Sequence, residues 1–201
     1  QKFSEFVASV NTDYFLYRDF QSRNIMVKDD ELYFIDYQGG RKGALQYDVA
    51  ALLYDAKAEI PNPVREKLLN HYLDKLESDY NLSRQEFMKS YYAFVLIRIM
   101  QAMGAYGFRG LFEKKVHLIK SILPARKNLK HLLENGKLDF DIPHLHEVFE
   151  NIITSEEFNI YEDRILPNNK LTATITSFSY KREIPIDLAN NGGGYVFDCR
   201  G

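Results

Sequence analysis

The sequence predicts an α+β fold that is mostly helical, with a small β unit followed by a helical bundle. Short β-prone segments separated by turn residues occupy residues 14–43 and indicate the β unit. From residue 45 to about residue 155, apolar side chains recur at helical spacing, which indicates the bundle. A β-prone, alternating segment begins near residue 171 and predicts the start of a second domain.

The β unit follows one predicted helix over residues 3–10, where apolar side chains recur at i, i+3, i+4 and i+7. Residues 14–17 form a short apolar run that we expect to be a buried strand, and a polar loop follows. Two further apolar runs with the turn Asp29-Asp30 between them predict a hairpin over residues 25–36. We expect a glycine-rich loop after it, at Gly39, Gly40 and Gly43.

The bundle is predicted from helical periodicity and from residues that suit helix starts. Ser83 is the expected N-cap of the longest helix, because Glu86 follows at the spacing of a capping box. Pro63 suits the first turn of the helix before it. The predicted helices cover residues 45–54, 63–76, 87–103, 112–123, 124–133 and 143–153.

A domain boundary is predicted where the helical pattern ends. The polar stretch that ends in Pro167-Asn168-Asn169 is typical of a linker. We therefore expect a first domain over residues 1–155, a linker over residues 156–169 and the start of a second domain over residues 170–201.

Bulk composition excludes several classes of protein. The chain has 201 residues, 45% of them hydrophobic, and a formal net charge of −2, which argues against the basic surface that nucleic acids require. Its single cysteine excludes an internal disulfide framework and fits a reducing compartment. No apolar stretch approaches the roughly 18 residues that span a bilayer. We therefore expect a cytoplasmic protein without a membrane partner.

Three oxygen-bearing side chains lie in and just after the predicted loop and hairpin. Asp19 follows Arg18 in the loop, Asn24 lies five residues later, and Asp36 ends the second strand, which the hairpin should bring back beside Asn24. Phosphoryl transfer needs a carboxylate for the acceptor hydroxyl and oxygen ligands for Mg²⁺. These residues either supply that set or are ordinary turn residues. The preceding strand, the hairpin and the following glycines favour the phosphotransfer site.

Residues 17–24, with the sequence YRDFQSRN, resemble the protein-kinase catalytic loop His-Arg-Asp-x-x-x-x-Asn, which precedes a hairpin and a metal-binding Asp. Residues 17–55 are similar to the aminoglycoside phosphotransferase-like kinases, especially those that phosphorylate N-acetylmuramate or N-acetylglucosamine at the anomeric carbon. Those kinases share the loop HRDFHSRN, an Asp-Phe-Gln stretch and a Tyr-Asp-Leu helix start. The resemblance covers about residues 1–155. It implies the C-terminal lobe of a protein-kinase-like fold, with a catalytic loop and β-hairpin on a helical bundle.

The resemblance also implies roles for single residues. Asp19 resembles the catalytic base, while Asn24 and Asp36 resemble the ligands of Mg²⁺, with ATP as co-substrate. Asp48 resembles the aspartate that supports the catalytic loop by hydrogen bonding; the alternative is an ordinary acid in the first turn of a helix. Tyr17 stands where the family has His, a position that is mostly architectural.

Other polar residues are candidates for acceptor or phosphate contacts. Arg23 and Gln38 lie near the site in sequence, although a loop-positioning or solvated role is favoured for Arg23. Arg98, Gln101 and Tyr106 belong to a helical stretch, RIMQAMGAYG, that is similar to the family's later substrate-lobe helix. They either line the acceptor pocket or serve the helical core.

The resemblance further implies a nucleotide lobe with a glycine-rich loop and a strand lysine. We expect that lobe to be missing, because both ends of the chain look cut. The chain by itself is then expected to bind ATP poorly and to turn over little.

The tail resembles a second family. Residues 174–201 are similar to the start of the C-terminal domain of the RNase adapter protein RapZ, with its Ser-Phe-x-x-Lys, Pro-x-Asp and Val-Phe-Asp-x-Arg elements. This implies an amino-sugar-phosphate sensor with a protein or RNA partner. Ser177, Lys181, Asp198 and Arg200 match its polar positions, and the alternative is a plain β-hairpin with polar turns.

Two functions from different classes follow. The first is an ATP-dependent kinase of a small-molecule hydroxyl, with an amino sugar expected and an aminoglycoside or choline as alternative acceptors. The second is a non-catalytic pseudokinase joined to an amino-sugar-phosphate sensor, which Tyr17 and the tail favour. For the kinase part we expect a small-molecule substrate and no nucleic-acid partner.

Overall fold

The structure, a computed structural model, describes residues 2–113, 116–135, 138, 142–156 and 178. Over these residues the chain is α+β and mostly helical, with two antiparallel sheets of two strands each. The predicted fold class is confirmed at this level. The predicted linker over residues 156–169 and the second domain over residues 170–201 lie outside the described residues, apart from Glu156 and Phe178.

The predicted hairpin is confirmed. Strand β2 (Ile25–Lys28) pairs with strand β3 (Glu31–Phe34) in antiparallel register. The turn residues Asp29 and Asp30 have φ values of 52° and 60°. Two successive residues with positive φ give a turn whose twist matches that of the flanking strands, and Asp tolerates this region better than most residues.

The second sheet corrects two expectations. Strand β1 (Tyr14–Leu16) pairs with β4 (Arg41–Gly43), so part of the expected glycine-rich loop is a strand. A Cβ on Gly43 would lie 2.7 Å from Cδ2 of Leu16, and this close approach explains the glycine. The expected burial of β1 is wrong in part: Leu16 is buried, but Phe15 is 72% exposed, because neighbouring strand residues point to opposite faces.

The helices follow the predicted order with shifted bounds. The longest begins at Arg84 and runs on into a π-helical turn, Gly107–Phe112, where the sequence had predicted a loop and a new helix. The helices are α1 (Lys2–Ala8), α2 (Leu45–Leu53), α3 (Asn62–Tyr80), α4 (Arg84–Tyr106), α5 (Val116–Ile119), α6 (Ile122–Glu134) and α7 (Pro143–Thr154).

Helix α4 is the centre of the core. It packs against both α2 and α6. Close packing of its branched and aromatic side chains with those of α6 removes a large apolar area from water, which is the main stabilising contribution in a fold of this kind. The largest side chains in this core that are fully buried are Tyr91, Val95 and Leu96 on α4, and Leu129 and Leu132 on α6.

The start of α4 shows half of the predicted capping box. The Ser83 side chain accepts a hydrogen bond from the backbone N–H of Glu86 at 3.3 Å, as an N-cap should. The Glu86 carboxylate does not return the bond; it pairs with Lys89 at 2.6 Å.

Arg65, on α3, is buried and fixes the carboxyl end of α2. Its Nε donates to the carbonyl of Leu53 at 2.8 Å, and its Nη2 donates to Oδ1 of Asn128 at 2.8 Å. Asn128 in turn donates to the carbonyl of Tyr54 at 3.2 Å, and the guanidinium lies 4.0 Å from the centre of the Tyr54 ring. This network fixes the position of the carboxyl end of α2. It therefore also fixes the position of Asp55, the residue after Tyr54.

Within the part of the chain that the structure describes, no helix is both long enough and apolar enough to cross a membrane.

Buried tyrosines make the fold sensitive to alkali. Burial raises the pKa of both Tyr54 and Tyr72 from 10.0 to about 12. Their neutral form therefore contributes stability that is present below pH 10 and is lost as the pH rises from 10 to 12. We predict that the free energy of unfolding, measured in urea over this interval, falls with pH and falls less steeply in Tyr72→Phe. The matched control is Tyr80→Phe, since Tyr80 is 71% exposed; an equal change of slope in both variants would contradict the assignment.

Candidate functional site

The loop between β1 and β2 is tied to the helical bundle by Asp48, in the first turn of α2. One carboxylate oxygen, Oδ2, accepts a hydrogen bond from the N–H of Tyr17 at 2.5 Å, and Oδ1 accepts one from the N–H of Arg18 at 2.9 Å. Arg18 has a φ of 79°, which is uncommon for a residue other than glycine. The carboxylate thus binds the two consecutive peptide N–H groups that lead into Arg18, the kind of contact that the resemblance implies for Asp48.

Asn24 lies at the end of the 3-10 turn Ser22–Asn24 and is 3% exposed. Its amide nitrogen donates to the carbonyl of Asp19 at 2.8 Å, across the loop. Its own carbonyl accepts a hydrogen bond from the N–H of Ile35 at 3.1 Å. Because the amide nitrogen is engaged, the side-chain oxygen is the atom of Asn24 that remains for a cation.

Tyr17 links the start of the loop to the end of β3. Its hydroxyl donates to the carbonyl of Ile35, the residue before Asp36. Its ring lies 5.3 Å from that of Phe20, between centres. Desolvation raises the pKa of the Tyr17 phenol, and the nearby carboxylates of Asp36 and Asp19 add to the shift. Tyr17 therefore supplies a structural connection at the position where the kinases that it resembles have His.

The carboxylates of Asp19 and Asp36 make no hydrogen bond with the described residues. Asp19 is half-buried, whereas Asp36 is exposed and has a φ of 62°. Both charges act on the phenol of Tyr17, so both carboxylates lie near one ring. Gln38, on the 3-10 turn after Asp36, is exposed and also makes no hydrogen bond with the described residues.

Asp55 is a site residue that the sequence reasoning missed. Its Oδ2 accepts from the N–H of Ser22 at 3.0 Å and from the Ser22 hydroxyl at 2.5 Å, while Oδ1 accepts from the N–H of Lys57 at 3.1 Å. Asp55 follows Asp48 by seven residues, about two helical turns, which places both on one side of α2. The signal in the sequence was the repeated Tyr-Asp pair at residues 47–48 and 54–55.

Arg98, on α4, packs against Tyr47 beside the loop. Its Nη1 donates to the hydroxyl of Tyr47 at 2.6 Å and to Oε1 of Gln101 at 2.9 Å, and its guanidinium lies 4.8 Å from the centre of the Tyr47 ring. Its Nε is buried and has no hydrogen-bond partner among the described residues. Arg98 is therefore held in place by Nη1, and its buried Nε–H donor remains unused among the described residues.

Tyr106, at the end of α4, belongs to the same region. Burial raises the pKa of its phenol, the charge of Asp55 raises it further, and the charges of Arg98 and Arg23 lower it. These four residues therefore lie within electrostatic reach of one another. Arg23 itself is exposed.

Burial also raises the pKa of the Asp48 carboxyl above its ordinary value of 3.8. The two backbone N–H donors and the charge of Arg98 act in the opposite direction, and the charge of Asp19 adds to the rise. The position of Asp48 between these groups links the loop electrostatically to α4.

Among the residues that the structure describes, no group of three or more His, Cys, Asp or Glu side chains is placed to hold a metal ion. The predicted Mg²⁺ ligands, Asn24 and Asp36, include only one carboxylate. Mg²⁺ sites in phosphotransferases commonly use one or two carboxylates and complete the octahedron with substrate phosphates and water. The tail candidates Ser177, Lys181, Asp198 and Arg200 lie outside the described residues.

No model of a known protein family matches the chain. No curated protein matches it either. The resemblance of residues 17–55 to kinases therefore stays a prediction.

Replacing Asp48 by Asn should destabilise the fold by about 1–3 kcal/mol, because an amide presents a donor to one of the two N–H groups that need acceptors. Hydrogen exchange at the N–H groups of Tyr17 and Arg18 should accelerate. Urea unfolding and NMR exchange measure the two effects. Asp74→Asn is the matched control: Asp74 is 68% exposed, and its ion pair with Arg84 should contribute less than about 1 kcal/mol. Equal losses in the two variants would refute the role of Asp48.

Replacing Asp55 by Asn should release the other end of the loop. Exchange at the N–H of Ser22 should rise roughly tenfold or more, since hydrogen bonds to charged groups contribute about 1.5–3 kcal/mol. Exchange at Tyr17 should rise far less. Arg126→Gln, which removes hydrogen bonds to the carbonyls of Ile153 and Ser155 away from the loop, controls for general destabilisation. A uniform rise along the chain would show that Asp55 has no local role.

Proposed function

We propose that this chain is the catalytic and Mg²⁺-binding lobe of an ATP-dependent phosphotransferase that acts on a small-molecule hydroxyl, with an amino sugar of the N-acetylglucosamine or N-acetylmuramate class as acceptor. The proposal assigns residues 1–155 to the C-terminal lobe of a protein-kinase-like fold. The observation that carries it is the set of hydrogen bonds at the loop. Asp48 accepts two of them at the start of the loop, and Asn24 donates one to the carbonyl of Asp19. The carbonyl of Asn24 accepts one from Ile35, the residue before Asp36.

Asp19 is the proposed general base. Its carboxylate is half-buried and engaged by no described residue, while the hydrogen bond from Asn24 to its carbonyl fixes its backbone. It accepts the proton of the acceptor hydroxyl as that oxygen forms a bond to the γ-phosphorus of ATP. The bond from the γ-phosphorus to the bridging oxygen breaks, and ADP leaves.

Asn24 and Asp36 are the proposed ligands of Mg²⁺. The free side-chain oxygen of Asn24 and the unengaged carboxylate of Asp36 suit a hard cation, and the backbone of Asn24 is hydrogen-bonded to Ile35, the residue before Asp36. A bound Mg²⁺ would offset negative charge on the transferred phosphate.

Arg98, Gln101 and Tyr106 are proposed to face the acceptor, with Arg23 and Gln38 at its edge. Arg98 retains a buried donor, and its ties to Tyr47 and Gln101 hold it rigidly. A preorganised cation among hydroxyl and amide groups suits a hydroxyl-rich sugar, including one that carries a carboxylate. An aminoglycoside, a cation at neutral pH, fits this cluster less well.

A second candidate is a non-catalytic regulatory protein that retains the kinase-like lobe and is joined to an amino-sugar-phosphate sensor. The observation that favours it is Tyr17, whose hydroxyl binds the carbonyl next to Asp36 where the kinases that it resembles have His. Protein or RNA partners of the C-terminal domain and a cytoplasmic location belong to both proposals.

The catalytic proposal predicts that Asp19→Asn in the natural full-length protein lowers kcat by at least about 100-fold, the scale of general-base catalysis. The assay is ATP- and Mg²⁺-dependent phosphorylation of N-acetylglucosamine or N-acetylmuramate. Asp13→Asn is the matched control, since Asp13 is an exposed residue paired with Lys42 at 3.1 Å and should leave kcat unchanged.

A rate for Asp19→Asn within a few-fold of the wild type would refute the role of Asp19. Activity only on an aminoglycoside or choline would show that the proposed amino-sugar acceptor is wrong. Absence of Mg²⁺-dependent nucleotide binding in the full-length protein would favour the regulatory candidate.

A further inference from the structure

A cavity of about 440 Å³ lies where the ends of α1 and α3 meet the starts of β1, α2 and α4. Its volume lies in the range of about 300–1,000 Å³ that is usual for small-molecule sites. Asp19, Asn24 and Asp36 do not line it, so it is separate from the candidate phosphotransfer site.

Part of the cavity wall is apolar. Side chains from four helices and from the segments between them supply this apolar surface, which would pack against a ring or an alkyl face of a ligand. The apolar lining residues are Phe6, Val10, Leu45, Leu76, Leu82 and Phe87.

Two buried polar residues interrupt this apolar wall. Gln46 is 7% exposed and Ser90 is 4% exposed. The amide nitrogen of Gln46 donates to the carbonyl of Phe87 at 3.3 Å, so its orientation is fixed and its Oε1 remains without a partner among the described residues. The hydroxyl of Ser90 likewise makes no hydrogen bond with the described residues. Neither atom is among the fully buried ones without a partner, so both are reached by solvent, and a ligand with hydroxyl or amide groups could take the place of that solvent.

The charge around the cavity favours a neutral ligand over an ionic one. The charged residues in its lining are Glu86 and Lys89, and these pair with each other at 2.6 Å. Their charges therefore largely cancel at the edge of the cavity, and the buried wall carries no charge. A neutral ligand can enter without leaving an ion uncompensated.

We propose that this cavity binds a neutral, amphiphilic small molecule that combines an apolar ring with hydroxyl or amide groups, such as an aryl glycoside. The ligand would place its ring on the apolar wall and its hydroxyls at Oε1 of Gln46 and Oγ of Ser90. Binding does not depend on the proposed kinase activity.

The cavity also adjoins the supports of the loop. Tyr14, which begins β1, and Gln46, which precedes Asp48 by two residues, both line it. A ligand that contacts both would stabilise the arrangement in which Asp48 holds Tyr17. Ligand binding should therefore slow hydrogen exchange at the N–H of Tyr17.

The test is an NMR titration of the 201-residue chain with phenyl β-D-glucoside. We expect saturable shifts at the side-chain amide of Gln46 and the backbone N–H of Ser90, with a Kd of about 1 mM or lower. Phenyl β-D-glucuronide, of the same shape but with a carboxylate, should bind at least about tenfold more weakly.

Substitutions in the lining of the cavity test whether the glucoside binds there. Ser90→Leu fills the cavity from within, and Ser9→Trp covers its mouth from an exposed position where misfolding is not expected. Both should abolish the shifts. Ser78→Leu, at an exposed position on α3, is the matched control and should leave binding unchanged.

The proposal is overturned by absence of saturation with the glucoside at about 10 mM, by equal binding of the glucuronide, or by binding that survives Ser9→Trp. Absence of phosphotransfer by the full-length protein, together with saturable binding of the glucoside, would refute the kinase proposal without contradicting this binding site.

Discussion

The candidate site depends on one carboxylate, that of Asp48, which accepts hydrogen bonds from two consecutive backbone N–H groups of the loop. A partly buried carboxylate loses hydration, and the rise in its pKa records that cost. The two N–H donors and the charge of Arg98 offset it. The two hydrogen bonds to Asp48 stabilise the left-handed conformation of Arg18, which otherwise costs of order 1–3 kcal/mol. This contact fixes the backbone just before Asp19, and the hydrogen bond from Asn24 to the Asp19 carbonyl supports the same segment from the other side.

Helix α2 sets the spacing of the site. Asp48 lies in its first turn and Asp55 just beyond its end, so the helix holds the two carboxylates at a separation of about two turns. One carboxylate holds the beginning of the loop and the other holds Ser22 near its end. The buried network of Arg65 keeps the carboxyl end of the helix in position. The loop is therefore shaped by a rigid element behind it more than by its own residues.

Local features of the fold could be predicted from the sequence, and long-range ones could not. The hairpin and the Ser83 cap depend on residues close together in the chain, and both are confirmed. The pairing of β1 with β4 joins distant segments that carry only a weak local signal, and for this reason the sequence predicts a loop where β4 lies. The residues of the candidate site differ in the same way between local and long-range features. Asp19, Asn24 and Asp36 stand out by spacing, whereas Asp55 acts on Ser22 across 33 residues and leaves no pattern in the loop itself.

The hairpin of β2 and β3 has a consequence for work with the chain in solution. Met26, Val27 and Leu32 on it are each at least half exposed, and among the described residues no third strand pairs with either edge. Open strand edges that carry apolar side chains are templates for pairing with another molecule. Purified chains should therefore associate edge to edge as concentration rises, and a lysine placed on an outward-facing position of β2 would be the natural way to keep them apart.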